Sequence, residues 1–151
     1  MGSKYREESK LETIHNHSLI IIKHHEHYLL YDDERWQCKL FLNYKTQKVH
    51  NEQFILNAVS KDLNVDVSSL SCQYIASRIQ EKYSVSHNEN RVYNHKLYMM
   101  TIQPLLPVME KDNFVINNKH YYWMTLDEMM NDSDIQEKNS EVVEFVRDMV
   151  K

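Results

Sequence analysis

Residues 43–65 read NYKTQKVHNEQFILNAVSKDLNV, and the parsing of this stretch decides the fold. Asn51 is suited to capping a helix, and Phe54, Ile55, Ala58, Val59 and Leu63 then recur at three-to-four spacing, which predicts a helix over 52–63. Asn64 tolerates the left-handed backbone that closes a helix. Just upstream, Arg35, Lys39, Lys45 and Lys48 stand in a segment with no acid. It reads as a basic loop, better suited to a small anion than to long duplex nucleic acid.

Working outward, apolar runs over 18–23 and 27–31 are separated by His24, His25 and Glu26, the pattern of a β-hairpin. Downstream, strands are predicted over 71–83 and 91–103, pairing around 84–90. In the second, Val92, Asn94, Lys96, Tyr98, Met100 and Ile102 alternate with Tyr93, His95, Leu97, Met99 and Thr101, one set to each face of a sheet. Apolar segments at 114–116 and 119–124 bracket Asn117-Asn118, two residues that tolerate positive φ, so a tight hairpin follows. Thr125-x-x-Glu128 is a capping box that opens a short helix. Ser140 precedes a second helix, with Val142, Val143, Val146, Met149 and Val150 along one stripe.

Composition removes whole classes of function. The 151 residues carry a single glycine, Gly2, which excludes every phosphate site built on a glycine-rich loop. Cys38 and Cys72 form no CxxC pair, so cysteine zinc sites are excluded and a reducing, cytoplasmic setting is expected. Histidine pairs such as His25 and His27 share a strand face, but spacing supplies no third ligand, and no metal or other cofactor is expected. A Cys38 or Ser84 nucleophile would lack any supporting oxyanion motif. The longest aliphatic run, 19–22, is far short of the ~20 residues needed to cross a bilayer. Residues 126–151 hold eight acids against three bases, so the net charge of −4 belongs to this tail. No repeat or proline-rich linker divides the chain. One domain over 15–151 is expected, after an expression scar and polar lead-in over 1–14.

This order of elements resembles the Nudix fold, an α+β fold in which a mixed sheet is flanked by helices as an α/β/α sandwich. The junction Trp123, Thr125, Glu128 resembles that family's approach to its C-terminal helix. The family signature is G-x5-E-x7-R-E-U-x-E-E-x-G-U, whose helix carboxylates bind the Mg²⁺ that polarises a diphosphate. Laid without gaps, its first Gly falls on Asn43, the next Glu on Val49, and the run R-E-U-x-E-E-x-G-U on residues 57–65. Asp62 is the one carboxylate retained. Ala58 cannot hold a metal and Lys61 brings the opposite charge, so the resemblance implies a scaffold kept without its hydrolytic chemistry, and no enzymatic activity is expected.

More narrowly, the chain resembles the SMODS-associated Nudix-like domain of bacterial anti-phage (CBASS-type) systems that signal with cyclic oligonucleotides. The resemblance is carried by His15-Asn16-His17-Ser18, Leu30-Tyr31-Asp32-Asp33, Leu40-Phe41-x-Asn43-Tyr44-Lys45, Lys82-Tyr83-Ser84-Val85-Ser86, Val92-Tyr93-x-His95-x-Leu97-Tyr98, and Trp123 through Met129. It implies a sensor domain that binds a cyclic oligonucleotide or related nucleotide without hydrolysis and controls an antiviral effector. It also leaves open a homo-oligomer and an N-terminal transmembrane segment in the full-length protein, on the cytoplasmic face of the inner membrane.

Without a glycine loop, nucleotide binding must use cations for phosphates, aromatic faces for bases, and hydroxyls or amides for edges. The residues expected to do so are Arg35, Trp36, Tyr44, Lys45, Lys82, Tyr83, Ser84, Arg91, Tyr93, His95 and Tyr98. Two alternatives stand beside the sensor. One is a divergent Mg²⁺-dependent nucleotide hydrolase using Asp62 with Glu52 or Asp66. The other is a protein-interaction module.

Overall fold

A computed structural model describes the backbone of residues 14–84 and 89–150 and the side chains of 14–81 and 90–150. The expected lead-in over 1–14 falls almost wholly outside these residues, as do the middle of the predicted 84–90 turn and the side chains of Lys82, Tyr83 and Ser84.

Seven strands form one mixed sheet: β1 (His15–His24), β2 (His27–Asp33), β3 (Cys38–Lys45), β4 (Leu70–Ser84), β5 (Glu89–Ile102), β6 (Asn113–Ile116) and β7 (Lys119–Met124). Their order across the sheet is β4-β5-β1-β3-β2-β7-β6. β1 runs parallel to β5, from His15 opposite Tyr93 to Ile22 opposite Met100, and antiparallel to β3. Helices α1 (Asn51–Leu63), α2 (Leu126–Met130) and α3 (Ser133–Met149) complete the α+β architecture. No helix among the described residues is long and apolar enough to cross a membrane.

Period-2 alternation in the central strands feeds two cores. Ile20, Ile22, Leu42, Tyr98 and Met100 pack against Ile55, Val59 and Leu63 of α1. Leu19, Ile21, Phe41 and Leu97 pack against Ile135, Val142, Val143, Phe145 and Val146 of α3. Each fully buried aliphatic side chain contributes about 1.5–3 kcal/mol, so both helices are held mainly by these stripes. Turn chemistry agrees with the sequence. Asn117 and Asn118 take φ of 52° and 64° between β6 and β7, and Asn64 closes α1 at φ 54°. The Thr125/Glu128 capping box is formed in both directions.

Four local expectations are corrected. The predicted basic loop is in part the central strand β3. Its charges, Lys39 and Lys45, lie toward its ends, while Phe41 and Leu42 are buried between β1 and β2 partners. The predicted hairpin of β1 with β2 pairs only beside its turn, Lys23 with Tyr28 and His24 with His27, because the rest of β1 pairs with β3 and β5. Helix α3 begins at Ser133, capped by the Asp132 carboxylate, and breaks at Asn139, φ −145°. Ser140 therefore marks a kink, not a start.

Asn51 is also not the cap of α1. His50 holds that position with no side-chain bond, and the Asn51 side-chain oxygen Oδ1 accepts from the Gln47 backbone N–H at 2.8 Å. Its amide donates to Ser18 Oγ and to the Tyr98 hydroxyl, each at 3.0 Å, tying the helix start to β1 and β5.

Candidate functional site

The same alternation that builds the α3 core changes chemistry toward one end of the sheet. On β5, Arg91, Tyr93, His95 and Leu97 share a face, and only Leu97 joins the aliphatic core. On β1, His17 shares its face with Leu19 and Ile21. On β3, Asn43 follows Phe41. The polar members of these rows, with Arg35 and Trp36 from the β2–β3 turn and the kink residue Asn139, line a cavity of about 190 Å³. The break in α3 thus lies where the helix covers the cavity.

Aromatic surface dominates one wall. The Tyr93 and His95 rings are stacked, centroids 5.4 Å apart and 7° from parallel, and His17 meets Tyr93 edge-on at 5.7 Å. Behind them, His95 Nδ1 lies 2.6 Å from Gln80 Oε1, while Gln80 Nε2 donates to the Glu141 carbonyl at 2.9 Å. Because the amide nitrogen is committed to a carbonyl, its oxygen faces the imidazole, and Nδ1 is the nitrogen that carries hydrogen. This pair ties β4 and β5 to α3.

The charge in the cavity is mostly positive. Arg35 is exposed and forms no ion pair among the described residues. Asp33 also lines the space, but its carboxylate accepts from the Tyr31 hydroxyl and the Trp36 backbone N–H, both at 3.0 Å. Burial holds the His17 pKa below the usual histidine range, and His15, Lys45 and Arg91 depress it further.

The structure therefore brings together Arg35, Trp36, Arg91, Tyr93 and His95, with Lys45 close enough to act on His17. It separates Tyr44 and Tyr98, which face α1, because each lies one residue out of phase with the cavity-lining row of its strand. Sequence reasoning missed His17, Asn43, Asp33 and Asn139. Period-2 counting back from Leu19, and forward from Phe41, would have found the first two. Asn139 had no signal, because its place depends on the helix kink.

On the opposite face, Asp62 accepts a 2.7 Å hydrogen bond from the Tyr44 hydroxyl. Burial, and after it the Asp62 carboxylate, raises the Tyr44 pKa far above the usual phenol range, and burial likewise raises Tyr31 and Tyr121. The signature positions for Mg²⁺-binding glutamates hold Ala58, Lys61 and this engaged Asp62. No group of three or more His, Cys, Asp or Glu able to hold a metal ion occurs among the described residues. The donor set on α1 does not fit the ion that the signature implies.

No family model and no curated protein matches the chain. Solved structures do. The Ap4A hydrolase of C. elegans superposes with a TM-score of 0.56 at 10% identity, covering 89% of this chain and 94% of its own. A Nudix hydrolase from Nitrosomonas europaea gives 0.50 at 13%, covering 78% and 76%. The E. coli dihydroneopterin triphosphate pyrophosphohydrolase gives 0.53 at 12%, covering 75% and 82%. At such identities the likeness is one of fold, and that fold is the Nudix fold. It corrects the expectation that the chain has no enzymatic activity: these structures are hydrolases, so the altered signature helix is no warrant for reading catalysis out of the chain.

Proposed function

We propose that this Nudix-fold domain binds a phosphate-bearing nucleotide in the cavity between Arg35 and Arg91, with a base against Trp36 or Tyr93. The convergence of two guanidinium residues and a stacked aromatic wall on one cavity carries this reading. A stacked base is worth ~1–3 kcal/mol and a hydrogen bond to a charged group about 1.5–3, so two of each suffice for micromolar binding.

The form of this reading that the hydrolase neighbours favour is cleavage of a nucleotide phosphoanhydride. In it, water attacks one phosphorus as the bridging P–O bond breaks and the leaving phosphate departs as an anion. Arg35 and Arg91 stabilise the charge that grows on the phosphoryl oxygens, and the His95 imidazole takes the proton of the attacking water. A second form, supported by the sequence resemblance, takes a cyclic oligonucleotide as ligand and passes its occupancy to an effector. The cavity, about 190 Å³, is smaller than the ~300–1,000 Å³ that encloses a drug-sized ligand. Such a ring would seat one nucleotide and leave the remainder over the opening.

A thermal-shift panel of nucleoside di- and triphosphates, dinucleoside polyphosphates and cyclic di- and trinucleotides, with and without Mg²⁺, tests the binding. At about 100-fold excess over Kd a true ligand adds ~2.7 kcal/mol, or several degrees. A flat panel overturns the proposal. Chromatography of the same mixtures separates its forms: product accumulation supports hydrolysis, and binding with unchanged ligand supports the messenger form.

A further inference from the structure

We propose that His17 is a proton-coupled anion contact: its imidazole takes up a proton as a phosphate group seats beside Arg91, so the cavity prefers ligands with concentrated negative charge and holds them more tightly as pH falls. This rests on the nucleotide-binding reading and adds to it a residue and a selectivity.

The geometry is that of a ring held among cations, with Asp33 the one carboxylate among the described residues that line the cavity. His17 is half-buried on β1, lines the cavity, and touches Tyr93 edge-on. Its ring makes no hydrogen bond or ion pair among the described residues. The titratable and charged groups around it are His15 on its own strand, Lys45 on β3, and Arg91, Tyr93 and His95 on β5. The β2–β3 turn adds Arg35 and the end of β2 adds Asp33, the latter already engaged by Tyr31 and Trp36. From α3 come Asn139 and Val142, neither of them charged.

In the empty cavity burial, and after it the charges around the ring, oppose a further positive charge and keep His17 neutral near pH 7. A bound anion reverses the balance. It offsets Arg91 and Lys45, and a second proton-bearing ring nitrogen then has an acceptor to meet. Since the proton binds more tightly in the anion-occupied state, linkage requires the anion to bind more tightly to the protonated state. Affinity therefore rises as pH drops from above the occupied-state midpoint toward the empty-state one. It levels off below the latter. A midpoint displacement of one pH unit corresponds to a tenfold difference in anion affinity between the two protonation states.

The test follows the His17 ring resonances, assigned with a His17→Gln variant, by NMR between pH 5 and 8. Sodium sulfate is compared with sodium chloride at matched ionic strength, because sulfate does not titrate in this range. The expected result is a His17 midpoint about one unit or more higher in sulfate. In Arg91→Gln the chloride midpoint should rise, as a repelling charge is lost, and the sulfate effect should shrink. A role in packing alone predicts neither change. Equal midpoints in both salts overturn the inference. Calorimetry with ADP separates the two failures. ADP binding with His17 unmoved by sulfate or ADP sinks the proton coupling and leaves nucleotide binding standing. A sulfate effect with ADP and the rest of the nucleotide panel inert sinks the nucleotide reading and leaves the anion contact.

Discussion

The Tyr44 hydroxyl donates a 2.7 Å hydrogen bond to the Asp62 carboxylate, so the acid retained at the end of the signature helix fastens α1 to β3. The pair lies on the sheet face opposite the cationic cavity, and stability and ligand binding should therefore be separable. Tyr44→Phe removes the bond with little change in volume and should cost about 1.5–3 kcal/mol. The melting temperature should fall by roughly 3–10 °C, while a nucleotide found in the panel produces the same upward shift as in the parent protein. Loss of that shift would place Tyr44 in the ligand site after all.

Arg35 presents the reverse case. It is exposed, lines the cavity and has no ion pair among the described residues. Arg35→Ala should leave stability within about 0.5 kcal/mol and weaken nucleotide binding roughly 10- to 100-fold. Calorimetric titration beside a thermal melt checks both. Unaltered affinity would remove Arg35 from the site.

Gln80 joins three elements through one amide, accepting from His95 and donating to the Glu141 carbonyl. Gln80→Leu strands a buried imidazole N–H and removes the side-chain donor to the Glu141 carbonyl, and should cost about 1–3 kcal/mol. Urea unfolding should show a lower midpoint with an unchanged m-value, and Gln80→Glu should restore the acceptor for His95 but not the donor to α3. A Gln80→Leu variant as stable as the parent would show that the relay is dispensable.

Cys72 offers a pH test of the α1 face. Burial, and after it the Glu52 carboxylate, pushes its thiol up to about 11. On the order of 0.1% is then thiolate at pH 8, and alkylation by iodoacetamide should be far slower than for a free thiol, gaining about tenfold per pH unit. The folded thiol keeps a proton that the unfolded chain releases. This contribution to stability is complete below the ordinary thiol pKa and declines as pH rises through the range up to about 11. Rapid alkylation at pH 8 in the folded protein would refute this placement.

Much of the chain was legible one element at a time. The Asn117-Asn118 turn, the Thr125/Glu128 box, the alternation of β5 and the Asn64 end of α1 are all set by steric preference or by hydrogen bonds within a few residues. Periodicity also reported that Arg91, Tyr93 and His95 share a face. Local signals misjudged 38–45, where the charges of Lys39 and Lys45 read as solvated loop although the segment runs between two strands that come to it from elsewhere in the chain.

The sequence by itself determined which side chains travel together along each strand and helix, because backbone geometry repeats every 2 or 3.6 residues whatever lies beside it. Only the tertiary structure decided which helix covers which face. Tyr44 went to Asp62 and Tyr98 to Asn51, while His17, Arg35 and Arg91 arrived from three separate segments beneath the kink at Asn139. No local repeat encodes such a meeting. It follows from the strand order and from the requirement that each apolar face be covered by one particular helix.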